Sequence, residues 1–364
     1  MAGKEFDVIV VGGGPGGALA AKKCADSGFK TLLLEKKKLP REKVCSGMIM
    51  GPWASATIAH EFGDIPKNIL TDPYCLSGHM IHVTGTTSKK IDSPTPVGWR
   101  KDLDFWMIQK VSGCGVEIRD GVRVLGVDQL DGKCLVQIKD GGRQYQSTSR
   151  FVIAADGGAS AVRKSIFPNL KVKYSAPIRE CYTGSVEIQR DYIHWFFPEA
   201  RPRPRFDLLH KGDCFLIEGS GIRVLRQEIR NILATLGYPP EKKPEWRDGC
   251  LMPLLHAELI SGAFEPAKGN ILLAGDAAGL VFPVTFEGIG SAMKSGVLAA
   301  ESIAEATLDG KKAAASYMEK LTPMRKLIET FLNLQNGLQA SADEGAGPLS
   351  DALKHAYEET LRIG

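Results

Sequence analysis

The chain has 364 residues, with 46 Lys and Arg against 42 Asp and Glu, a net formal charge of +4. So small an excess excludes the concentrated basic surface of a nucleic-acid binder. With 43% hydrophobic and 24% charged residues, the composition is that of a globular protein with a large buried core and about two domains.

No apolar run approaches the roughly 20 residues of a membrane span, so membrane contact is expected at most at the periphery. The opening MAGKEFDVIVVGGG enters a strand almost at once and leaves no room for a leader, which points to the cytoplasm. The eight cysteines, Cys24, Cys45, Cys75, Cys114, Cys134, Cys181, Cys214 and Cys250, lie about twenty positions apart or more. The seven histidines show no HxxxH or HxH spacing. Neither a metal site nor a dithiol relay is expected.

In chain order, residues 6–11 (FDVIVV) read as a buried parallel strand. A helix is predicted from Pro15 to Ser27, with Gly28 as its C-cap. Residues 31–34 (TLLL) form a second buried strand that Glu35 closes. An amphipathic helix is expected over 101–112. Residues 116–153 alternate between turn pairs at Asp120-Gly121, Asp131-Gly132 and Asp140-Gly141, which predicts an antiparallel meander ending in the buried strand FVIAAD. Short strands follow over 172–220, interrupted by PEARPRPRF, and a helix over 221–236. NILLA (270–274) is another buried strand, and a helix is predicted from about 288 to 307. The rest is helical, thinning to a Gly-containing linker near 343–348 before a short polar helix. Dinucleotide-fold segments therefore stand at the start, middle and end, with β-rich stretches between, as in a discontinuous nucleotide-binding domain that carries an insertion.

Three motifs carry chemistry. Gly12-x-Gly14-x-x-Gly17 follows a strand and opens a helix. Gly12 suits the tight turn, Gly14 the approach of a pyrophosphate, and Gly17 the packing of helix on strand, while the helix N-terminus faces the anion. Glu35, 18 residues beyond Gly17, can accept the ribose hydroxyls, which favours FAD or NAD over NADP. In GNILLAGDAAGLVFPVTFEGIGSAMKSG (269–296), a strand delivers Asp276 to a loop and a second helix starts near Gly288. Such a helix N-terminus stabilises the anionic edge of a reduced flavin. In FVIAADGGASAVRK (151–164), Asp156-Gly157 ends a strand, and Asp156 is either a cofactor contact or a helix cap.

Together these segments resemble FAD-dependent enzymes of the p-hydroxybenzoate hydroxylase-like fold, and within it the geranylgeranyl reductase family. The residues that carry the likeness are GGGPGG, Glu35, PREKVCSGMI (40–49), Arg100 in GWRKDLD, the Asp156-Gly157 segment and GDAAGLVFPVTFEGIGSAMKSG. The family pattern GDAAGxxxPxTGEGIxxAMxSG is followed throughout except at Phe286, where the family has Gly. The likeness spans about two-thirds of the chain and is weak over 166–262. It implies an α/β fold: a Rossmann-like, three-layer FAD-binding domain (1–74, 98–170 and 264–340), an inserted antiparallel-sheet substrate domain (75–97 and 171–263) and a C-terminal tail helix (341–364).

The resemblance also implies the site. Gly12, Gly14 and Gly17 would bind the pyrophosphate of a non-covalent FAD, Glu35 the adenosine ribose, and Arg100 would lie near the flavin phosphates. Asp276 would hold the ribityl or pyrophosphate region, and Pro283 would line the ring. Glu287, Gly288 and Ile289 would offer N–H groups to the pyrimidine edge. Pro15, Lys36, Arg41, Val124, Asp156, Gly157 and Gly275 complete the expected cofactor set. Cys45, Ser46 and Gly47 match a Cys-x-Gly element bordering flavin and substrate, with Cys45 the candidate catalytic thiol. Phe286, Trp195, Phe197 and Tyr182 are expected to wall an apolar substrate cavity, although strand alternation assigns about half of such aromatics to the core. His194 and His256 are proton-donor candidates by type. Arg201, Arg203 and Arg205 read as an exposed, extended arm.

The leading expectation is reduction of a prenyl C=C bond by hydride transfer from reduced flavin. The alternatives are a flavin monooxygenase acting on an aromatic or polyketide substrate, and a non-catalytic flavoprotein electron carrier. The halogenase element WxWxIP is absent. No second nucleotide-binding domain is visible, so the electron donor, NAD(P)H or ferredoxin, would bind as a transient partner.

Overall fold

The structure, a computed structural model, describes residues 5–130, 132–306 and 309–363. Residues 1–4 of the lead-in, Asp131 of one expected turn and residue 307 at the end of one expected helix lie outside the described residues.

β1 (Phe6–Val11), α1 (Pro15–Asp26) and β2 (Thr31–Glu35) make the opening unit. The two strands run parallel, Val8 opposite Thr31 and Val11 opposite Leu34. α2 (Gly51–Phe62), β3 (Leu70–Val83) and β4 (Lys89–Gly98) follow, then α3 (Arg100–Ser112) and β5 (Glu117–Asp120). The expected meander over 116–153 divides here. β5 lies parallel beside β2, whereas β6 (Val122–Leu130), β7 (Lys133–Asp140) and β8 (Arg143–Ala154) are antiparallel. β8 serves three partners, its first half pairing with β7 and its apolar end running parallel to β1 on one side, Phe151 opposite Val8, and to β17 (Ile271–Leu273) on the other, Val152 opposite Ile271.

α4 (Ala161–Ile166), β9 (Lys173–Ser175), β10 (Ile178–Thr183), β11 (Tyr192–Phe197), β12 (Phe206–Lys211) and β13 (Cys214–Gly219) come next. They lead through α5 (Arg226–Thr235), β14 (Trp246–Gly249), β15 (Met252–Leu254) and α6 (His256–Ser261) to β16 (Ala267–Lys268) and β17 (Ile271–Leu273). The chain closes with α7 (Ile289–Glu305), α8 (Gly310–Lys320), α9 (Thr322–Glu344) and α10 (Ala346–Leu361).

Two main sheets result. The first has the order β16-β17-β8-β1-β2-β5, with β6 and β7 attached through β8. The second has the order β14-β10-β13-β12-β11-β3-β4. It is antiparallel apart from β3 and β11, which run parallel with Gly78 opposite Tyr192.

The C-terminus departs from the sequence reading. α9 and α10 are separated only by Gly345, at φ +129, so no loose linker forms. α10 is not a polar appendage. Its Leu349, Leu353, Ala356, Tyr357 and Leu361 are buried with Ile81, Val97, Trp195 and Phe197 of the second sheet. Spaced three to four residues apart, these form one apolar helix stripe that covers the sheet.

Candidate active site

The first sheet builds a cradle mainly from backbone. Gly12, at φ +106, turns the chain so tightly that a Cβ there would meet Ala155 O at 2.3 Å. A Cβ on Gly17 would lie 1.9 Å from Gly12 O, so Gly17 acts by letting α1 close on the turn and does not itself line the site. Gly14 begins α1 with no side-chain cap and Pro15 follows it, leaving the first N–H groups of the helix directed at the cavity. α7 packs against α1 through small residues, since a Cβ on Gly296 would be 2.3 Å from Gly16 O. That contact brings a second helix start, Gly288-Ile289, to the same cavity, where Gly288 offers no side-chain cap and the Glu287 carboxylate accepts from the first turn.

Charged groups brace the cradle. Glu35 accepts hydrogen bonds from Gly13 N–H and Lys37 N–H, both at 2.9 Å, and sits 3.1 Å from Arg41. Arg41 continues to Asp104 at 3.1 Å, and Arg100 grips that carboxylate at 2.7 and 3.0 Å. Asp104 closes the GWRKDLD segment but was given no role there, and its signal is the i, i+4 spacing from Arg100 on α3. Asp156 caps a helix and lines the cavity. Its Oδ2 accepts from Ala161 N–H at 2.7 Å at the start of α4, while Oδ1 is buried without a partner beside the cavity. Asp276 faces Lys43 at 3.6 Å. Glu287 accepts from Gly290 N–H at 2.5 Å, its other carboxyl oxygen has no partner, and burial pushes the group up to about 7. Lys36, Val124, Gly157 and Gly275 also line the cavity, whereas buried Pro283 does not.

The Cys45 loop is held from the second sheet. Arg179 donates to Cys45 O at 2.8 Å, and Lys211 donates to Ser46 O at 2.6 Å and to Gly98 O at 2.9 Å. Lys211 is 2% exposed, its ammonium lies 3.9 Å from the Trp99 ring centroid, and burial pushes it down to about 8. Cys45 and Ser46 line the cavity. Gly47, at φ +80, lies behind them, where a Cβ would strike Gly98 O at 1.8 Å. Cys181 and Cys214, 33 positions apart, stand on the neighbouring strands β10 and β13, a juxtaposition no spacing rule could reveal. The Cys181 thiol chiefly, with Lys211, lowers the Cys214 thiol to about 7.

The wall contributed by the second sheet is mixed. Trp195, Met48, Met50 and Phe286 give it apolar surface, and Arg203, Arg205, Asp207 and Glu218 give it charge. Phe286 has φ +57, a conformation that favours glycine, and its ring sits under the guanidinium groups of Arg203 and Arg205 at 5.1 and 5.6 Å. The Arg/Pro segment is therefore not a free arm. Arg201 stays in solvent, while Arg205 also covers Trp195 at 4.6 Å. Two expected wall residues lie elsewhere. Phe197 shares the face of Trp195 but is covered by the apolar cluster beneath α10. Tyr182 packs on Phe215 and Tyr238 in the cluster with α5, its hydroxyl donating to Glu180 at 2.9 Å. Neither candidate histidine lines the cavity. His194 bonds Gln189 O and His82, and His256 bonds Val281 O. Sequence reasoning missed Arg179, Asp207, Lys211 and Glu218, whose only signal is charge at alternate positions of strands that otherwise read as core.

All of this surrounds one cavity of about 1020 Å³, at the upper end of small-molecule sites. Two glycine-dependent turns, the uncapped start of α1, the start of α7 and unpartnered buried oxygens on Asp156 and Glu287 fit an anionic dinucleotide that brings its own donors and acceptors. Comparison with known proteins agrees. The FAD binding domain family matches residues 5–191. A digeranylgeranylglycerophospholipid reductase from Methanothermobacter thermautotrophicus is 30% identical over 98% of this chain and 92% of its own length. A geranylgeranyl diphosphate reductase from Rhodobacter capsulatus is 27% identical over 85% of this chain and 78% of its own. The crystal structure of a geranylgeranyl bacteriochlorophyll reductase-like protein from Thermoplasma acidophilum superposes with a TM-score of 0.71 at 20% identity, over 97% of this chain and 96% of that one.

Proposed function

Because the chain belongs to the geranylgeranyl reductase family of FAD-dependent oxidoreductases, we propose that it reduces C=C bonds of a prenyl chain, or of a similarly apolar substrate, held against the cavity wall of Met48, Met50, Trp195 and Phe286, where Arg205 stands between the two rings. The observation that carries this reading is the single cavity that joins the glycine cradle to the apolar wall of Met48, Met50, Trp195 and Phe286. Its FAD, when bound, supplies the hydride.

The chain's own residues bind and orient. Gly12, Gly14 and Pro15, with the start of α1, would receive the pyrophosphate without covalent attachment. Glu35 and Arg41 would meet the ribose, Asp276 the ribityl region, and the N–H groups of Gly288 and Ile289 the pyrimidine edge. Arg179 and Lys211 hold the Cys45 loop against the space where flavin and substrate meet. Aromatic and methionine side chains exclude water from the alkene, which orients it and strengthens every local charge. The electron donor would be external, NAD(P)H or a ferredoxin docking transiently. No helix among the described residues is long and apolar enough to cross a membrane, and contact with a lipid surface would be peripheral.

The cavity is neither a wholly apolar tunnel nor a small polar pocket, and Arg203, Arg205, Asp207 and Glu218 are what a hydroxylase would use to hold a polar aromatic. Single turnover decides. The FAD-loaded protein is reduced without oxygen and mixed with geranylgeranyl diphosphate or a digeranylgeranylglycerophospholipid. Reoxidation of the flavin with a product two hydrogens heavier supports the reductase. A flavin that stays reduced until oxygen is admitted, followed by an oxygenated product, establishes the monooxygenase instead.

A further inference from the structure

Asp207 on β12 and Glu218 on β13 stand directly opposite each other in the antiparallel register. Both line the cavity that holds the glycine cradle. Opposed residues of this kind have Cβ atoms roughly 4.5–5.5 Å apart, too close for two carboxylates to ionise independently. Asp207 is 6% exposed, and its Oδ1 has no hydrogen-bond partner. The Glu218 side chain is 12% exposed.

The nearby cations are committed elsewhere. Arg179 comes within 3.9 Å of Glu218, but it binds Asp248 at 2.6 Å and Cys45 O at 2.8 Å. Lys211 is occupied by two carbonyls, and Arg205 donates to Val284 O at 3.1 Å and covers Trp195. An ion-pair network would place a donor on each carboxyl oxygen, and here one oxygen is left bare. The other charged or titratable neighbours are Asp248 and Cys250 near Glu218 and Tyr357 of α10 near Asp207.

We propose that the Asp207–Glu218 pair shares a proton at neutral pH and delivers it to the alkene, as the acid of the reduction. This rests on the reductase reading above. In the step, the carboxyl O–H bond breaks and its electron pair stays on oxygen. The alkene π pair forms the new C–H bond at one carbon, and hydride from the reduced flavin forms the other. The carboxylate then recovers a proton from water at the cavity mouth. The surroundings are consistent with such an acid: burial, with Asp248, pushes Glu218 up to about 7, and burial, with Glu218, pushes Asp207 well above the ordinary range. The pair also fills the vacancy left by His194 and His256, both bonded away from the cavity.

The test uses the FAD-loaded full chain and the variants Asp207→Asn, Glu218→Gln and Cys45→Ala. Flavin content per protein reports folding and cofactor binding. Infrared titration of the protonated-carboxyl carbonyl band, without substrate, reports the shared proton. Wild type should show that band titrating near neutral pH. In Glu218→Gln the remaining Asp207, facing Arg205 without its repelling partner, should titrate at least one pH unit lower. Single turnover with geranylgeranyl diphosphate or the digeranylgeranylglycerophospholipid should slow about 100-fold in both carboxyl variants at unchanged flavin content, and its basic limb should move down with the infrared midpoint in Glu218→Gln. A wild type that reacts, beside carboxyl variants of unchanged rate, overturns the donor role alone. So does a wild type with no protonated-carboxyl band at neutral pH, or a loss confined to Cys45→Ala, which would transfer the role to the thiol. A reduced wild type that reacts with neither prenyl probe overturns the reductase reading, and the donor role with it.

Discussion

The two walls of the cavity are built on different principles. On the side of the first sheet, recognition is carried by backbone: turns at Gly12 and Gly275, the starts of α1 and α7, and N–H groups that Glu35 helps to orient. On the side of the second sheet it is carried by side chains standing on alternate strand positions: Trp195, Asp207, Lys211, Glu218 and Arg179. Backbone geometry admits few residue types, so the first wall reads as a motif. A strand accepts almost any side chain on its facing positions, so the second leaves only isolated charges in an apolar run. The contrast also predicts where substitution is lethal and where it is graded.

The severest break is expected in the cradle. Gly17→Ala places a methyl group 1.9 Å from Gly12 O, against backbone that cannot yield without unpacking α1 from β1. The variant should lose roughly 4 kcal/mol or more of stability and purify without flavin. Gly28→Ala is the control. That residue also has positive φ, +82, but an added Cβ meets nothing, so a cost of about 1 kcal/mol and full flavin content are expected. Flavin-to-protein ratio and urea midpoints for the two variants measure the difference. Equal behaviour would mean that the close approach at Gly17 is not what makes the cradle.

The second effect in size belongs to the other wall. His79, His82 and His210 sit on or beside the second sheet, and burial holds them near 3, 4 and 4, below the ordinary value of 6.5. A histidine with a depressed folded pKa binds its proton more tightly when unfolded. Its contribution is therefore complete above about pH 6.5 and is lost as the pH falls below it. By pH 5.5 each should cost about 1 kcal/mol, roughly 3 kcal/mol together. Glu218 and Glu287, held up near 7, gain stability over the same range, so the histidine share is read as a difference: the urea midpoint of His82→Asn should fall less between pH 7 and pH 5 than that of the wild type. Equal slopes would show that the ring protonates in place.

Legibility follows the same division. β1, α1, β2, β17, α7 and the cofactor turns could be read because apolar runs, glycines and a helix start obey strict local rules. β3, β4 and α2 escaped because the bulged, partly exposed β3 and β4 carry Gly78, Pro73, Pro94 and Pro96 in place of clean alternation. The parallel placement of β5 escaped because four half-exposed residues look alike in either orientation. Tyr182 and Trp195 are both buried strand aromatics. Only the three-dimensional partner, α5 for one and the cavity for the other, tells them apart. The carboxyl pair needed the register of two strands before it existed as a pair.

Lys211→Met sharpens the comparison at intermediate scale. The change keeps the length and apolar contact of the stem and removes the donor to Ser46 O and Gly98 O. Two buried carbonyls then lose their partner, for a stability cost of about 2 kcal/mol. The Cys45 loop should loosen on its substrate side while the cradle keeps its flavin. Turnover should fall roughly tenfold at unchanged flavin content, measured by steady-state rates and cofactor titration. Loss of flavin together with turnover would show that the two walls are not separable in this way.

Phe286→Gly should have the smallest effect on stability and the most informative effect on selectivity. Phe286 occupies φ +57, where a side chain costs about 1–2 kcal/mol relative to glycine. Gly at this position relieves that strain but frees the unfolded backbone and removes the ring from beneath Arg203 and Arg205, contacts worth about 0.5–1 kcal/mol each. The opposing terms nearly cancel, so the urea midpoint should move by less than the equivalent of about 1 kcal/mol. The space that opens does not cancel. An enclosed phenyl ring takes up roughly 150–250 Å² of surface, and this one stands between the start of α7 and the substrate wall. Bulkier alkenes should gain several-fold in kcat/KM relative to the linear prenyl probe, with flavin content unchanged. If selectivity stays fixed while the variant folds and holds FAD, the ring is a brace for the two arginines and not a gauge of substrate width.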